Sequence, residues 1–150
     1  NINEKLEIGK GRIIKEGKQV AILNFGARLN ECLIACENLK KKGINLTLFD
    51  ARFAKPLDKN TIWQLASDHE VIISIEEGSI GGFGSHISQY LFDNNLIDNN
   101  LKFRSMILPD RFIDHDKPEE MYKFAGLDAN SIETKILDTL NSKVVIKKSN

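Results

Sequence analysis

No charge of one sign dominates this chain: Lys+Arg and Asp+Glu number 21 each, for a formal net charge of +0. Polyanions and anionic membranes are held by a basic excess, so neither nucleic acid nor a membrane is expected as a partner. No apolar run approaches the roughly 20 residues of a membrane span, and no signal-peptide pattern stands at the start. Cysteine is scarce. The 2 present, Cys32 and Cys36, lie four apart in a helical pattern, where side-by-side Cβ vectors do not suit a disulfide. They read as small apolar core residues of a reducing, cytoplasmic compartment. The 3 histidines, His69, His86 and His115, have no metal-ligand spacing to one another or to cysteine, which argues against a zinc site. Aromatic residues make up 7% of the chain and do not alternate with basic ones, which argues against base stacking.

What remains is an ordinary mixture, 41% hydrophobic and 28% charged, over 150 residues. A chain near that length buries roughly 70% of its unfolded surface, enough for one core without staples. Residues 1–150 are therefore read as a single domain. The first residue is Asn1 and not methionine, and the expectation is a piece of a longer polypeptide.

Gly11–Gly17 reads as a short strand ended by the turn Glu16-Gly17-Lys18, and Gln19–Phe25 as a nearly continuous apolar run before Gly26. Such a run suits a strand covered on both faces. Leu29, Cys32, Leu33, Cys36 and Leu39 recur at helical spacing. Lys40, Lys41 and Lys42 follow where the helix dipole favours cations, and Gly43 lies just past them. Further strands are read at Asn45–Asp50, Val71–Ile75 and Lys102–Leu108. Asp58 suits the cap of a helix from Lys59, with Leu57 and Ile62 as its hydrophobic staple. Ser85 is read as the cap of a helix carrying Ile87, Tyr90 and Leu91. Pro118 opens another helix that Gly126 ends, and Asp128 caps the last, with Leu127 and Ile132 as staple. Val144–Asn150 reads either as a short strand or as part of a frayed tail over 141–150. Strands alternating with helices predict an α/β fold, a three-layer αβα arrangement around a doubly wound mixed sheet of about five strands. The first strand is expected to run antiparallel at one edge.

The stretch Glu76-Glu77-Gly78-Ser79-Ile80-Gly81-Gly82-Phe83-Gly84-Ser85 falls between a strand and a helix, where α/β proteins place ligands. Its glycines do not follow G-x-G-x-x-G, and no lysine precedes Ser85 as a P-loop requires. Two carboxylates at the mouth also repel a phosphate. Adjacent strand residues point to opposite faces, so Glu76 and Glu77 do not converge on one substrate. One is expected to meet a basic partner and the other solvent or another domain. The glycines are expected to allow positive φ and close backbone approach to a neighbouring surface. Ser85 and His86 adjoin without a G-x-S-x-G elbow. Arg52, Lys55 and Asp58 are expected to form salt bridges around their loop, and His115 and Asp116 to order another. No complete catalytic constellation emerges, and a small nucleotide-binding module stays open as an alternative.

Several stretches, taken in order, resemble one family. They are Ala21–Gly26, Asp50-Ala51-Arg52-Phe53-Ala54-Lys55-Pro56-Leu57-Asp58, Glu76–Ser85, Leu108-Pro109-Asp110-Arg111-Phe112-Ile113, Pro118–Met121 and Ala125-Gly126-Leu127-Asp128-Ala129. Together they resemble the C-terminal domain of 1-deoxy-D-xylulose-5-phosphate synthase, a transketolase-like enzyme, over about Leu6 to Leu140. The arginine-to-P-L-D loop and the E-E-G loop recur more loosely in transketolases and in the beta subunits of 2-oxo acid dehydrogenases. The L-P-D-R-F-I and A-G-L-D-A stretches select the synthase. Ile107 and Asp116 depart from it, standing where many members carry glycine.

The resemblance implies a full-length enzyme that uses thiamine diphosphate and Mg²⁺ to condense pyruvate with D-glyceraldehyde 3-phosphate, releasing carbon dioxide. It implies that the cofactor motif and the catalytic groups lie in two earlier domains, an N-terminal and a pyrimidine-binding one. No catalytic, cofactor or metal residue is then expected in this chain, which packs on those domains and helps assemble a homodimer. The interface candidates it implies are Arg52, Pro56, Asp58, Glu76, Glu77, Gly78, Gly81, Gly82, Phe83, Gly84 and Ser85. A docking domain akin to the dehydrogenase beta subunits is the alternative from a different class.

Overall fold

The computed structural model describes residues 5–98 and 100–142, so the tail Val144–Asn150 lies outside the described residues. Five strands are present: β1 (Arg12–Lys15), β2 (Gln19–Phe25), β3 (Thr47–Asp50), β4 (His69–Glu76) and β5 (Lys102–Met106). Five helices join them: α1 (Leu29–Lys41), α2 (Lys59–Asp68), α3 (Phe83–Asp93), α4 (Pro118–Ala125) and α5 (Ala129–Asn141). The strands form one sheet in the order β1-β3-β2-β4-β5. β2 runs parallel to β3 and β4, and β4 parallel to β5, while β1 is antiparallel to β3 at the edge. The expected mixed α/β sheet with an antiparallel edge strand is what forms.

The tight turn after β1 does not make β1 and β2 neighbours, because β3 lies between them. Burial explains the insertion. All four residues of β3 are buried, whereas none of β1 is. The apolar strand takes the inner place, and the half-polar one takes the edge.

Strand alternation divides the core in two. Val20, Ile22, Leu48, Val71, Ile73 and Ile75 face α1 and α5 on one side. Ala21, Leu23, Phe49 and Ile72 face α2 and α3 on the other. Cys32 and Cys36 are free and buried on α1. Burial pushes the Cys36 thiol up to about 11 and raises that of Cys32 as well, so both act as small apolar groups. Glu133 of α5 accepts from Asn38 Nδ2 at 2.7 Å and Lys42 Nζ at 3.0 Å, tying α5 to α1.

The predicted caps at Asp58 and Asp128 form, accepting from Thr61 N at 3.3 Å and Ser131 N at 3.1 Å. Glu31 adds a second acceptor at the start of α5, 2.9 Å from Ala129 N. Gly126, at φ 73, ends α4. Lys102 Nζ donates to the carbonyls of Thr139, Leu140 and Ser142 at 3.1, 3.3 and 2.8 Å, closing the end of α5 onto the start of β5. Asp58 does more than cap: it also accepts from Gly11 N at 3.1 Å and lies 3.8 Å from Lys10 Nζ.

Asp58→Ala should therefore lower the unfolding free energy by about 1–3 kcal/mol in urea titration. Asp58→Asn, which still caps, should lose clearly less. Equal losses in the two variants would show that the cap is not what Asp58 contributes.

Candidate functional site at the carboxyl end of the sheet

Where the helices after two neighbouring strands leave to opposite faces, a crevice opens at the strands' carboxyl ends, and α/β proteins bind ligands there. In this chain those strands are β2 and β4. Phe25 stands opposite Glu76 at their ends, and α1 and α3 then pack on opposite faces.

At this end of the sheet the chain's own side chains meet one another. Arg28 Nε lies 2.7 Å from Glu77 Oε1, a charge contact in which the N–H is not aligned for a hydrogen bond. The Arg28 guanidinium also sits 3.5 Å over the ring of Tyr122 in α4. A hydrogen bond with Glu77, then burial and the Glu77 charge, hold the Tyr122 phenol above its ordinary pKa, while Arg28 pulls it down. One arginine, one glutamate and one tyrosine thus join α1, the loop after β4, and α4.

Glu76 points the other way. It is 4% exposed, and its two oxygens accept from Phe83 N and Gly84 N, each at 2.9 Å. These are the first amides of α3, donors that have no partner within the helix and sit at its positive end. The loop is cut to fit this carboxylate. A Cβ on Gly82 would lie 2.5 Å from Glu76 Oε2, and one on Gly84 would lie 2.8 Å from Ser74 Oγ and 3.1 Å from Ser105 Cβ. Gly82 and Gly84 thus allow close approach to the domain's own interior, while the exposed Gly81 has the expected positive φ, at 100, with open space beside it.

Ser85 does not cap α3. The helix starts at Phe83 with Gly82 as cap residue, and Ser85 Oγ accepts from Gly81 N at 2.8 Å inside the first turn. Glu76 supplies the capping carboxylate because it reaches the amides from the end of the adjoining strand, which the Ser85 side chain does not. The expectation for the two glutamates is half met: Glu77 has the basic partner, but Glu76 faces inward onto backbone amides.

The remaining candidates divide by burial. Asp58, Glu76, Phe83 and Gly84 are buried within the domain, Phe83 with its ring stacked on Phe25 at 5.3 Å between centroids. Pro56 and Gly81 are exposed, and Arg52, Glu77, Gly78, Gly82 and Ser85 are half-buried. Of Arg52, Lys55 and Asp58, expected to form salt bridges around their loop, Arg52 and Asp58 do so. Arg52 Nε is 4.0 Å from Asp50, which also accepts from Arg12 Nε at 3.0 Å, and Asp58 pairs with Lys10. Leu108 N donates to Gly78 O at 2.9 Å, so the L-P-D-R-F-I stretch lies beside the glycine loop.

Sequence reasoning missed Arg28 and Tyr122. A cation three residues past Phe25 was the available signal for Arg28 once β2 and β4 were known to be neighbours. Tyr122 had none, since nothing local places α4 there. Chemically, neither glutamate is a free base, because one is held by amides and the other by arginine and tyrosine. Among the described residues, no group of three His, Cys, Asp or Glu side chains converges as a metal site. The first two α3 amides, the donors a diphosphate would use at this helix end, are taken by Glu76.

A family model described as "Transketolase, C-terminal domain" matches residues 9–132. The chain is similar to a solved structure described as a split-gene transketolase, inactive β4 tetramer, with a TM-score of 0.85 and 25% identity, over 96% of this chain and 46% of that one. It shares its fold with transketolase from Campylobacter jejuni, at a TM-score of 0.61 and 14% identity, over 87% of this chain and 18% of that one. The H261F transketolase mutant of Pichia stipitis gives a TM-score of 0.62 at 16% identity, over 88% of this chain and 18% of that one. The chain thus spans under half the length of each relative.

Glu76→Ala should cost about 2–4 kcal/mol of unfolding free energy, since it leaves two buried amide donors without a partner. Gly84→Ala should cost about 1–3 kcal/mol by overpacking against Ser74 and Ser105. Loss of under half a kcal/mol (roughly the surface-substitution range) in both would refute the described cradle. A second test is spectrophotometric: Glu77→Gln should move the Tyr122 titration down toward the ordinary tyrosine value. Because the folded pKa is raised, this group's stabilisation is complete below the unfolded value near about 10 and is lost as pH rises through the folded one. An unmoved titration would remove Glu77 as the cause.

Proposed function

The chain belongs to the transketolase C-terminal domain family, and from that premise we propose that it is the C-terminal domain of a 1-deoxy-D-xylulose-5-phosphate synthase. In this reading the parent is a cytoplasmic thiamine diphosphate- and Mg²⁺-dependent homodimer that condenses pyruvate with D-glyceraldehyde 3-phosphate. The present domain is its assembling part: it docks on the N-terminal and pyrimidine-binding domains and has no turnover alone. The L-P-D-R-F-I and A-G-L-D-A stretches support the synthase over other members of the family.

The observation that carries the non-catalytic role is the occupied anion site at α3. The fold's usual ligand crevice is bridged by Arg28, Glu77 and Tyr122, and the helix amides beside it hold Glu76. A helix end that already holds the domain's own carboxylate has no free amides for a ligand anion, which supports contact over chemistry. The split-gene relative, an inactive tetramer of one chain type, is in keeping with assembly separated from activity.

Assayed with thiamine diphosphate, Mg²⁺, pyruvate and D-glyceraldehyde 3-phosphate, the 150-residue chain should give no 1-deoxy-D-xylulose 5-phosphate, whereas the full-length parent should. Turnover by the isolated chain would refute the assembling role. A parent that moves a two-carbon unit between sugar phosphates and leaves pyruvate untouched would refute the synthase reading but keep the family.

A further inference from the structure

The buried half of the glycine loop is accounted for by Glu76; its exposed half is not. Ile80 is 79% exposed at the tip, and Phe112 in the neighbouring stretch is 101% exposed. The Leu108-to-Gly78 hydrogen bond joins the two segments that carry them. From Ile107 to Gly126, α4 included, no residue is buried. Only Leu108, Tyr122 and Ala125 of this stretch lean on the core, which leaves the rest of α4 and the loop before it turned to solvent. Phe124 of α4 is half exposed, with the Arg111 guanidinium 4.1 Å over its ring. Large apolar groups left in water at one end of a well-packed domain mark contact with other protein. Charge narrows the kind of contact, because the 107–126 segment carries five carboxylates against three cations, so a partner rimmed with basic groups fits it.

We propose that the docking surface of this domain is the pair of segments bearing Ile80 and Phe112, with α4 beside them, and that its occupant is a protein surface apolar at its centre and basic at its rim. The inference rests on the assembling role proposed above and names its contact surface, with the occupant supplied by the rest of the parent polypeptide. The relatives have room for such an occupant, since this chain spans 46% of one and 18% of another. Of the earlier interface candidates, the buried Glu76, Phe83 and Gly84 then shape the surface from beneath, whereas Asp58 is engaged with Lys10, Gly11 and Thr61.

Hydrogen exchange on the full-length parent and on the 150-residue chain alone tests this. In the parent, amides of the loop tip around Ile80 and of the stretch around Phe112 should exchange about tenfold more slowly than in the isolated chain. The slowing should vanish in Ile80→Asp/Phe112→Asp, persist in Phe92→Asp (an exposed phenylalanine of α3 away from this end), and weaken at high salt. Slowing on a different face, with these segments unchanged, would overturn the surface and leave the docking role standing. Slowing nowhere on the domain would overturn both. Slowing in the isolated chain that grows with its concentration would make a second copy the occupant and overturn the proposed partner.

Discussion

A single buried carboxylate organises the functional end of this domain. Glu76 closes β4 and receives the first two amides of α3, so the last residue of a strand becomes the cap of the next helix. Removing a carboxylate from water is costly unless donors replace the lost hydration. Here two otherwise unpartnered amides and the positive end of a helix do so. Because the donors are rigid backbone, the loop between them has one way to close, and its glycines are the residues that leave room for it. Everything displayed at the loop's outer side, Ile80 included, inherits its position from that contact.

The same device recurs along the chain. Asp58 sits at the start of α2, and Asp128 with Glu31 at the start of α5. Three helix N-termini that in other α/β proteins are ready anion sites hold the domain's own acids. The crevice between β2 and β4 meets a similar end, since Arg28, Glu77 and Tyr122 lock it into a joint between α1, the glycine loop and α4. A fold common to many ligand-binding proteins here spends these helix ends and loop charges on internal contacts, and function follows the site and not the fold.

How legible each feature was depends on the range of the interaction behind it. The caps at Asp58 and Asp128 act over three residues, and the apolar stripe of α1 repeats within one helix, so spacing alone located them. The β2 and β4 runs were legible because strands buried on both faces leave no polar alternation. Glu76 reaches forward seven and eight residues, across a loop that no spacing rule covers. Ser85, a residue with the right chemistry in the right neighbourhood, therefore looked like the cap. The salt bridges of Arg52 and Asp58 were legible as charges around a loop, but their partners, Asp50 and Lys10, are ones that folding delivers.

What the residues determined by themselves was the kind of domain: alternating buried strands and amphipathic helices, equal charges, and a glycine loop whose spacing follows no phosphate motif. Local physics suffices for that, because periodicity, capping and φ preferences act within a few residues. Only the tertiary structure decided that β3 would separate β1 from β2, that Glu76 would turn inward while Glu77 met Arg28 and Tyr122, and that Ile80 and Phe112 would be left in water. Those outcomes depend on which strands become neighbours. That is a competition among burial energies over the whole chain, and no short stretch contains it.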